Sequence, residues 1–399
     1  MTDSVEQQNP RFVSERVTAL RLSAIKEMVM RSANVEDVAS LAWGVPSFRT
    51  PAYIRGAVTE QLDTDADIGK YALPDGLPLL KQLAARRHHE YTGIEVDADD
   101  NVMITAGNMQ GMSSLLHVIT SPGDEIILTD PGFASHTQQI SLCGGVPVYW
   151  PLDEDNDWHL DVDLLPGLIT ERTKALILVS PSNPTGKIFS RERLLRIGEI
   201  AKRHGLLIIL DDPYSCFTYE NRDTFFNLAS VPELFDHVAY LFSFSKAYAM
   251  GGWRLGYMVL PGALKRQLIK VHDLNMICTP RVSQVAGIAA LSGDAHHIAE
   301  FEARFAARRE LICERLDTLA HVFGYNKPEG AYYVFPRIRA AHDNAREFCF
   351  DLLDRSKVAL TPGCAFGPSG EHHVRMAFCV AEDVIDRAFD RIESRYGRA

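Results

Sequence analysis

Short apolar strands alternate with helical segments through the middle of this chain. The strand-like runs are Val102–Thr105, Glu125–Thr129, Val146–Trp150, Ala175–Val179, Leu206–Leu210 and His237–Leu241. Turn-forming residues and a helical pattern follow most of these runs. Strands that alternate with helices at this spacing form a mainly parallel sheet that is covered on both faces. The sequence therefore predicts an α/β fold.

The pattern changes towards the C-terminus, which indicates a second domain in this 399-residue chain. After Arg281 it is helical to about Leu319, and strands are then predicted at Ala331–Phe335, Val358–Leu360 and His373–Phe378. We therefore predict a large domain over residues 46–285 and a smaller α+β domain over residues 286–399. Residues 1–45 include an amphipathic helix, and we expect this N-terminal segment to pack with the small domain.

Composition argues against several classes of protein. The net charge is −11, whereas nucleic-acid binders usually carry a basic patch. The seven cysteines never form C-x-x-C, which favours reduced thiols in a cytoplasmic protein. No run approaches the roughly 18 apolar residues of a membrane helix. The histidine pairs at 88/89, 296/297 and 372/373 lack metal-ligand spacing, so we expect surface histidines and no metal site.

Five residues with special chemistry lie near the carboxyl ends of different predicted strands. They are Gly107, Phe133, Asn183, Asp211 and Lys246. In open α/β sheets this edge is where ligands bind. Packing alone gives no reason for such a convergence, so we expect the functional site at this edge.

Lys246 lies in an aromatic stretch that reads F-S-F-S-K-A-Y-A-M-G-G-W-R-L-G-Y over residues 242–257. Burial among aromatic side chains disfavours the charged form of a lysine and lowers its pKa. A lysine of this kind can form a Schiff base with a carbonyl group, and the usual partner is pyridoxal phosphate (PLP). The alternative is a surface lysine at a helix start, close to an ion-paired arginine.

Two strand ends offer groups that could bind such a cofactor. Gly107 links a strand to a helix, where backbone N–H groups can bind a phosphate, although turns of this kind are common. Asp211 ends an apolar strand, where a carboxylate needs a partner. It could pair with a protonated pyridine nitrogen, and Tyr214 three residues later could donate to a phenolate oxygen. A structural salt bridge or a helix cap is the alternative for Asp211.

Three further polar residues are candidates for binding anions or orienting a ligand. Asn183 lies between two prolines, which favours a rigidly held hydrogen-bond donor. Arg254 could bind a phosphate, and we expect Gly251-Gly252 to let the chain turn so that the guanidinium points back at it. Arg375 lies in an apolar strand. A substrate carboxylate or a buried salt bridge would satisfy its charge.

The blocks that contain these residues resemble those of fold-type I PLP-dependent enzymes, specifically aminotransferases of classes I and II. The family's S-x-S-K-x(7)-R-x-G-Y block matches residues 243–257, and its S-x-x-N-P-T-G block matches residues 180–186. The family's strand-end aspartate and the tyrosine after it match Asp211 and Tyr214. The resemblance extends from about Leu41 to Phe378. It implies a large domain with a mainly parallel seven-stranded sheet and a smaller α+β domain.

The resemblance also implies how PLP would be held. Lys246 would bind it as a Schiff base and move a proton, while Asp211 would pair with the pyridine nitrogen. Asn183 and Tyr214 would donate to the phenolic oxygen. The phosphate would contact Gly107, the backbone of Asn108 and Met109, and the side chains of Ser243, Ser245 and Arg254. Phe133 would stack on the ring.

Substrate and partner contacts follow from the same resemblance. Arg375 would bind the substrate α-carboxylate, helped by Asn183 and the backbone of Gly44. Tyr71 matches a tyrosine that in this family reaches the phosphate of the neighbouring subunit. The resemblance therefore implies a homodimer with shared active sites.

The implied activity is transfer of an amino group between an L-α-amino acid and a 2-oxo acid such as 2-oxoglutarate or pyruvate. The alternatives are a carbon–sulfur β-lyase or another PLP reaction on the same scaffold, and a non-catalytic PLP-binding regulator. Three departures from the commonest family pattern leave the amino donor open: Asp212-Pro213, His136 and Asn108-Met109. Arg281 could pair with a substrate side-chain carboxylate or lie on the surface as an ordinary arginine.

Overall fold

The computed structural model describes residues 12–20, 22–342 and 344–398 of the chain. Residues 1–11 of the predicted N-terminal segment lie outside the described residues. None of the described helices is both long and apolar enough to cross a membrane.

Helices and strands alternate through most of the chain. The helices are α1 (Glu15–Thr18), α2 (Ala24–Ser32), α3 (Ala52–Thr64), α4 (Pro78–Thr92), α5 (Asn108–Ile119), α6 (Ala134–Leu142), α7 (Leu165–Leu168), α8 (Arg191–Arg203), α9 (Phe244–Ala247), α10 (Gly262–Met276), α11 (Arg281–Ser292), α12 (His296–Asp317), α13 (Ala345–Ser356) and α14 (Glu382–Tyr396). The strands are β1 (Ala39–Ser40), β2 (Val102–Thr105), β3 (Glu125–Asp130), β4 (Val146–Asp153), β5 (His159–Leu160), β6 (Thr173–Leu178), β7 (Leu207–Asp212), β8 (Val238–Ser243), β9 (Gly256–Val259), β10 (Phe323–Gly324), β11 (Tyr333–Val334), β12 (Arg337–Ile338), β13 (Val358–Ala359), β14 (Thr361–Pro362) and β15 (Val374–Ala377).

The central sheet has the strand order β2-β9-β8-β7-β6-β3-β4-β5. It contains eight strands and not the seven that we predicted. The additional strand is β5, because β4 continues beyond Trp150 and the chain then turns back, pairing Leu160 with Leu152. This short hairpin buries Trp158 and Leu160 in the core, and burial of large apolar side chains stabilises such a turn.

The direction of the strands decides which loops meet. Neighbouring strands pair in parallel from β8 through β7, β6 and β3 to β4, whereas β9 is antiparallel to both β2 and β8. Strands β2, β3, β6, β7 and β8 therefore end at one edge, and β9 begins there. This mainly parallel arrangement confirms the predicted fold class.

Alternate residues of the central strands enter two different core clusters. In β7, Ile208 and Leu210 belong to one cluster and Ile209 to the other. In β8, Tyr240 and Leu241 divide in the same way. Because successive side chains of a strand point to opposite faces, apolar material covers both faces of the sheet.

A third core cluster joins the two ends of the chain. It contains Met28 and Leu41 together with many residues of α12, α13, β15 and α14. In addition, β1 pairs in parallel with β13. The predicted boundary at residue 285 falls inside α11, whose Ala286 and Ala290 share a core cluster with Leu80 of α4. The division into domains stays a prediction.

Two of the histidines predicted to lie on the surface are buried, so that prediction is wrong for them. His88 and His373 are each 2% exposed. His373 stacks on Phe335 at 4.9 Å between ring centroids, and its Nε2 lies 3.0 Å from Glu154 Oε1. In the part of the chain that the structure describes, no group of three or more His, Cys, Asp or Glu residues could hold a metal ion.

Candidate active site

The predicted site residues come together where the parallel strands end. Gly107 follows β2, Phe133 follows β3, Asn183 follows β6 and Lys246 follows β8. Asp211 lies inside β7, because the backbone of Asp211 and Asp212 continues the pairing with β8. Arg254 reaches the same edge from the opposite direction, since it lies two residues before β9 begins.

Lys246 lies in α9, a single turn that begins directly after β8. The Ser243 side chain caps this turn by accepting a hydrogen bond from the Ser245 N–H at 3.2 Å. The Lys246 Nζ donates to the Gly44 carbonyl at 2.7 Å. Burial lowers the pKa of Lys246 to about 8, and the nearby charges of Arg375 and Arg254 also lower it. The amine is therefore half neutral near pH 8, as suits a nucleophile.

Asp211 is held by the Asn108 amide and the His136 imidazole and not by a structural salt bridge to lysine or arginine. It is 7% exposed. Its Oδ1 accepts from Asn108 Nδ2 at 2.7 Å, and its Oδ2 lies 3.1 Å from His136 Nε2. Among the described residues no lysine or arginine lies within ion-pair distance of it. Phe133 packs edge-on against His136 with ring centroids 5.1 Å apart, so α6 brings both to the pocket.

Asn183 links a tyrosine to an arginine. Its Nδ2 donates to the Tyr214 hydroxyl at 3.4 Å, and its Oδ1 accepts from Arg375 Nη1 at 3.2 Å. The Tyr214 hydroxyl also lies 3.0 Å from the Tyr333 hydroxyl. Burial raises the pKa of Tyr214 well above its usual value, so the hydroxyl stays protonated and can donate.

Arg375 is a buried cation without a carboxylate among the residues that the structure describes. It is 2% exposed, and its Nη2 donates to the Ala42 carbonyl at 2.6 Å. Its guanidinium lies 4.6 Å from the Tyr333 ring centroid, and its buried Nε has no hydrogen-bond partner within the described part of the chain. A buried charge is costly unless an anion accompanies it. The structure therefore contradicts a buried salt bridge and leaves an anion as the partner that would satisfy Arg375.

Gly107 and Arg254 form the part of the site suited to a phosphate. Gly107 precedes α5 with φ +77°, and a Cβ there would lie 2.8 Å from Arg254 Nη2. The guanidinium donates to the carbonyls of Gly251 at 3.0 Å and Ala106 at 3.4 Å. The expected role of Gly251-Gly252 stays a prediction: a short turn spans Gly251–Trp253, but neither glycine has a positive φ. Arg254 itself adopts the left-handed conformation, with φ +53°, and this turns the side chain towards α5.

Several predicted residues do not contact this pocket within the chain. Tyr71 is 76% exposed. The Met109 side chain is exposed, while its carbonyl accepts from Gln139 Nε2 at 2.7 Å. Arg281 is neither a free cation nor a plain surface residue, since its Nη2 forms an ion pair with Asp65 Oδ2 at 3.1 Å.

Two tyrosines of the site were not predicted from the sequence. The Tyr332 hydroxyl donates to the Gly44 carbonyl at 3.3 Å, the same oxygen that Lys246 contacts. A Cβ at Gly44 would lie 2.0 Å from the Tyr333 hydroxyl, so glycine is required there. The only local signal was the aromatic pair after Glu329-Gly330, which equally fits an apolar core strand.

Comparisons with known proteins agree with this geometry. Residues 36–392 match the family described as aminotransferase class I and II. An aspartate aminotransferase of Pyrococcus abyssi is 33% identical over 96% of this chain and 97% of its own length. An aromatic-amino-acid aminotransferase of Thermococcus litoralis is 31% identical over the same shares.

A solved structure agrees in fold as well as in sequence. The aspartate aminotransferase from Thermus thermophilus with maleate has a TM-score of 0.91 and 27% identity, over 96% of this chain and all of that one. The predicted resemblance and the predicted enzymatic class are thereby confirmed. This chain belongs to the class I and II aminotransferase family.

Proposed function

We propose that this protein exchanges an amino group between an L-α-amino acid and a 2-oxo acid, with PLP as cofactor. The donor would leave as its oxo acid before the acceptor, such as 2-oxoglutarate or pyruvate, binds. The observation that carries the proposal is Arg375, a buried cation that has no carboxylate partner among the described residues and is joined through Asn183 to Tyr214. An α-carboxylate is common to donor and acceptor and would satisfy that cation in both half-reactions.

The residues at the sheet edge fit the chemical groups of PLP. The phosphate would be bound by the N-terminus of α5 with Gly107, Asn108 and Met109, and by Ser243, Ser245 and Arg254. The protonated ring nitrogen would face Asp211, and the phenolic oxygen would face Asn183 and Tyr214. Lys246 is the amine that would hold the aldehyde carbon, and Phe133 would lie against the ring. The glycine required beside Arg254 supports this fit, because a Cβ at Gly107 would lie 2.8 Å from Arg254 Nη2.

Each of these side chains would have a defined task in transfer. When bound, PLP supplies an electron sink that stabilises negative charge at the substrate Cα. Lys246 Nζ takes the proton from that Cα, as a base with a pKa near the working pH does well. Arg375 binds the α-carboxylate and orients the Cα–H bond towards Lys246. The Gly44 carbonyl, which accepts from Lys246 Nζ, holds the amine in place between steps.

The lowered pKa of Lys246 predicts how its reactivity depends on pH. A lysine of ordinary pKa 10.5 is almost wholly charged at pH 8, whereas Lys246, with a pKa of about 8, is half neutral there. The PLP-free protein is reductively alkylated with a simple aldehyde at a series of pH values. We expect the extent of labelling of Lys246 to rise with pH, with a midpoint near pH 8. Peptide mapping by mass spectrometry would compare Lys246 with exposed Lys270. Equal labelling of both lysines across this range would contradict the prediction.

The amino donor can be found by spectroscopy of the PLP-loaded protein. Each candidate amino acid is added without an oxo acid, and loss of the visible cofactor band is recorded. Aspartate and aromatic amino acids come first in the panel, because relatives carry those names. A 2-oxo acid added afterwards should restore the band. If no amino acid changes it, transamination is wrong.

The same scaffold could instead support elimination from a sulfur amino acid, and a matched assay separates the two reactions. Cystathionine is supplied with no 2-oxo acid. Release of pyruvate and ammonia in repeated turnovers would favour a carbon–sulfur β-lyase. A single half-reaction that stops until an oxo acid is added would favour the aminotransferase.

We also propose a homodimer in which Tyr71 completes the site of the other subunit. Exposed apolar side chains support an interface, among them Leu73, two residues from Tyr71 and 54% exposed, and Trp43 at 50% exposed. The Tyr71 hydroxyl would donate to the phosphate held at Arg254 of the partner. A symmetric pair is the commonest form of homo-oligomer.

Mixing two impaired variants tests the sharing of sites. Lys246→Ala lacks the amine, whereas Tyr71→Phe is expected to bind PLP about tenfold more weakly because a hydrogen bond to a charged group is lost. A hybrid dimer has one complete site, so random mixing should restore about a quarter of the wild-type sites. Activity is measured at PLP levels too low to saturate Tyr71→Phe. No gain on mixing, with hybrids shown to form, would contradict shared sites.

We propose a cytoplasmic location as well. All seven cysteines are free thiols, and thiols persist in a reducing compartment. Cell fractionation with an antibody against the protein would test this location.

A further inference from the structure

The Asn108 side chain turns into the pocket and contacts the carboxylate of Asp211. Asn108 is the first residue of α5, and its Nδ2 donates to Asp211 Oδ1 at 2.7 Å. The same nitrogen lies 3.4 Å from the carbonyl of Leu241, the β8 residue paired with Asp211. Both atoms that face the amide are acceptors. The nitrogen must therefore be the atom that points at them, which fixes the orientation of the amide.

The surrounding residues leave space for the Asn108 side chain and offer it few other hydrogen-bond partners. A Cβ at Gly256 would lie 2.8 Å from Asn108 Oδ1 and 2.9 Å from the Phe242 carbonyl. The buried Oδ1 has no hydrogen-bond donor among the described residues. A buried oxygen without a donor destabilises the fold. The contact with Asp211 is therefore the polar interaction that favours this position of the amide.

Asn108 joins two parts of the site that are far apart in sequence. Its side chain holds Oδ1 of Asp211, while His136 lies against Oδ2, so each carboxylate oxygen has a side-chain partner. Its backbone belongs to the first turn of α5, whose N-terminus would face the phosphate. A shift of this helix end would therefore also shift the carboxylate.

We propose that Asn108 is a positioning residue that fixes the Asp211 carboxylate towards the ring nitrogen of PLP and couples its position to phosphate binding at the start of α5. This inference rests on the proposed function. Without the Asn108 side chain, the Asp211 carboxylate would lose one of its two hydrogen-bond donors and rotate more freely. The ring nitrogen of PLP would then carry its proton for a smaller fraction of the time, and PLP would bind more weakly.

Two substitutions at this position separate the hydrogen bond from side-chain volume. Asn108→Ala removes the donor, and Asn108→Asp keeps the volume but sets a second carboxylate against Asp211. Ser113→Ala, on the same helix, is the matched control. The dissociation constant of PLP is measured on the PLP-free proteins, whose thermal unfolding is also recorded. The visible cofactor band is then titrated with pH in the loaded forms.

We expect Asn108→Ala to bind PLP about tenfold more weakly, the effect of losing one hydrogen bond to a charged group. The pH midpoint of its visible band should move upward, because a less firmly protonated ring withdraws fewer electrons. Asn108→Asp should bind PLP still more weakly, and acidification should narrow its difference from Asn108→Ala, since two close carboxylates then share a proton. Ser113→Ala should match the wild type.

Other outcomes overturn the inference. Wild-type affinity in Asn108→Ala would do so, as would weaker binding with an unchanged pH midpoint, which would show a purely structural contact. At alkaline pH, where both carboxylates are ionised, binding by Asn108→Asp as tight as by Asn108→Ala would exclude donation to Asp211. If the alanine variant does not fold, Asn108→Ser replaces it, because its hydroxyl is one bond too short to make the contact. A wild-type protein that binds no PLP would instead overturn the proposed function.

Discussion

Replacing Lys246 with alanine should lower the turnover number for amino transfer by about 10⁴-fold, the upper range for loss of a positioned acid–base group. The variant loses both the amine that would hold the cofactor and the base that moves the Cα proton. The space left by the lysine side chain lies at a partly exposed site, so we expect the PLP-free variant to keep its fold. Steady-state assays with the donor found in the spectral panel, together with thermal unfolding, measure the two effects.

Two control variants make the Lys246 result specific. Lys246→Arg keeps a positive charge but offers no amine with a pKa near the working pH, and it should be as inactive as the alanine variant. Lys270→Ala removes an exposed lysine of α10 and should leave turnover unchanged. If Lys246→Ala retains activity within about tenfold of the wild type, the loss is too small for a positioned acid–base group. The proposed mechanism would then be wrong.

Replacing Arg375 with alanine should lower kcat/KM for amino acids by about 10³-fold. Two charge-assisted hydrogen bonds to a carboxylate contribute about 3–6 kcal/mol together, and each 1.36 kcal/mol in the barrier is a factor of about ten. Arg375→Lys keeps the charge but loses the forked geometry, so its loss should be smaller yet clear. Initial rates over a range of donor concentrations would separate kcat from KM.

An amine without the carboxylate provides the internal control for Arg375. The wild type and Arg375→Ala should process such an amine at similar, slow rates, because neither gains a carboxylate contact. An equal loss with the amine and the amino acid would mean that the substitution disturbs the pocket and not carboxylate binding. Thermal unfolding adds a second check. Since Arg375 forms no salt bridge with any residue that the structure describes, we expect no destabilisation of the size seen when a buried ion pair is broken.

Local sequence pattern was sufficient to locate much of the site. Strand β2 was predicted with its observed bounds, and Lys246 and Asn183 were placed correctly after their strands. The reason is that turn-forming residues at a strand end are read from neighbours in sequence, and that parallel strands bring their carboxyl ends to one edge. Asp211 was predicted to lie just after its strand but lies inside it, because pairing with β8 extends β7 through Asp211 and Asp212.

Other features depended on contacts between distant segments. Nothing near Arg254 in sequence indicated that the arginine and not Gly251-Gly252 takes the left-handed conformation. Burial of His88 and His373 follows from packing against Tyr240 and Phe335. Neither partner is a neighbour in sequence, so the histidine pairs were predicted to lie on the surface.

Asp211 and Arg375 show which features of the site follow from the sequence and which follow only from the tertiary structure. The residue types and their positions in or at the end of apolar strands already implied that each needs a partner, since a charge buried among apolar residues is costly. Which partners they have depends on where the chain brings Asn108 and His136 for Asp211 and Asn183 for Arg375, contacts that span between 75 and 192 positions in sequence. Hydrogen bonds form over about 3 Å, and only the packed fold brings such distant segments that close.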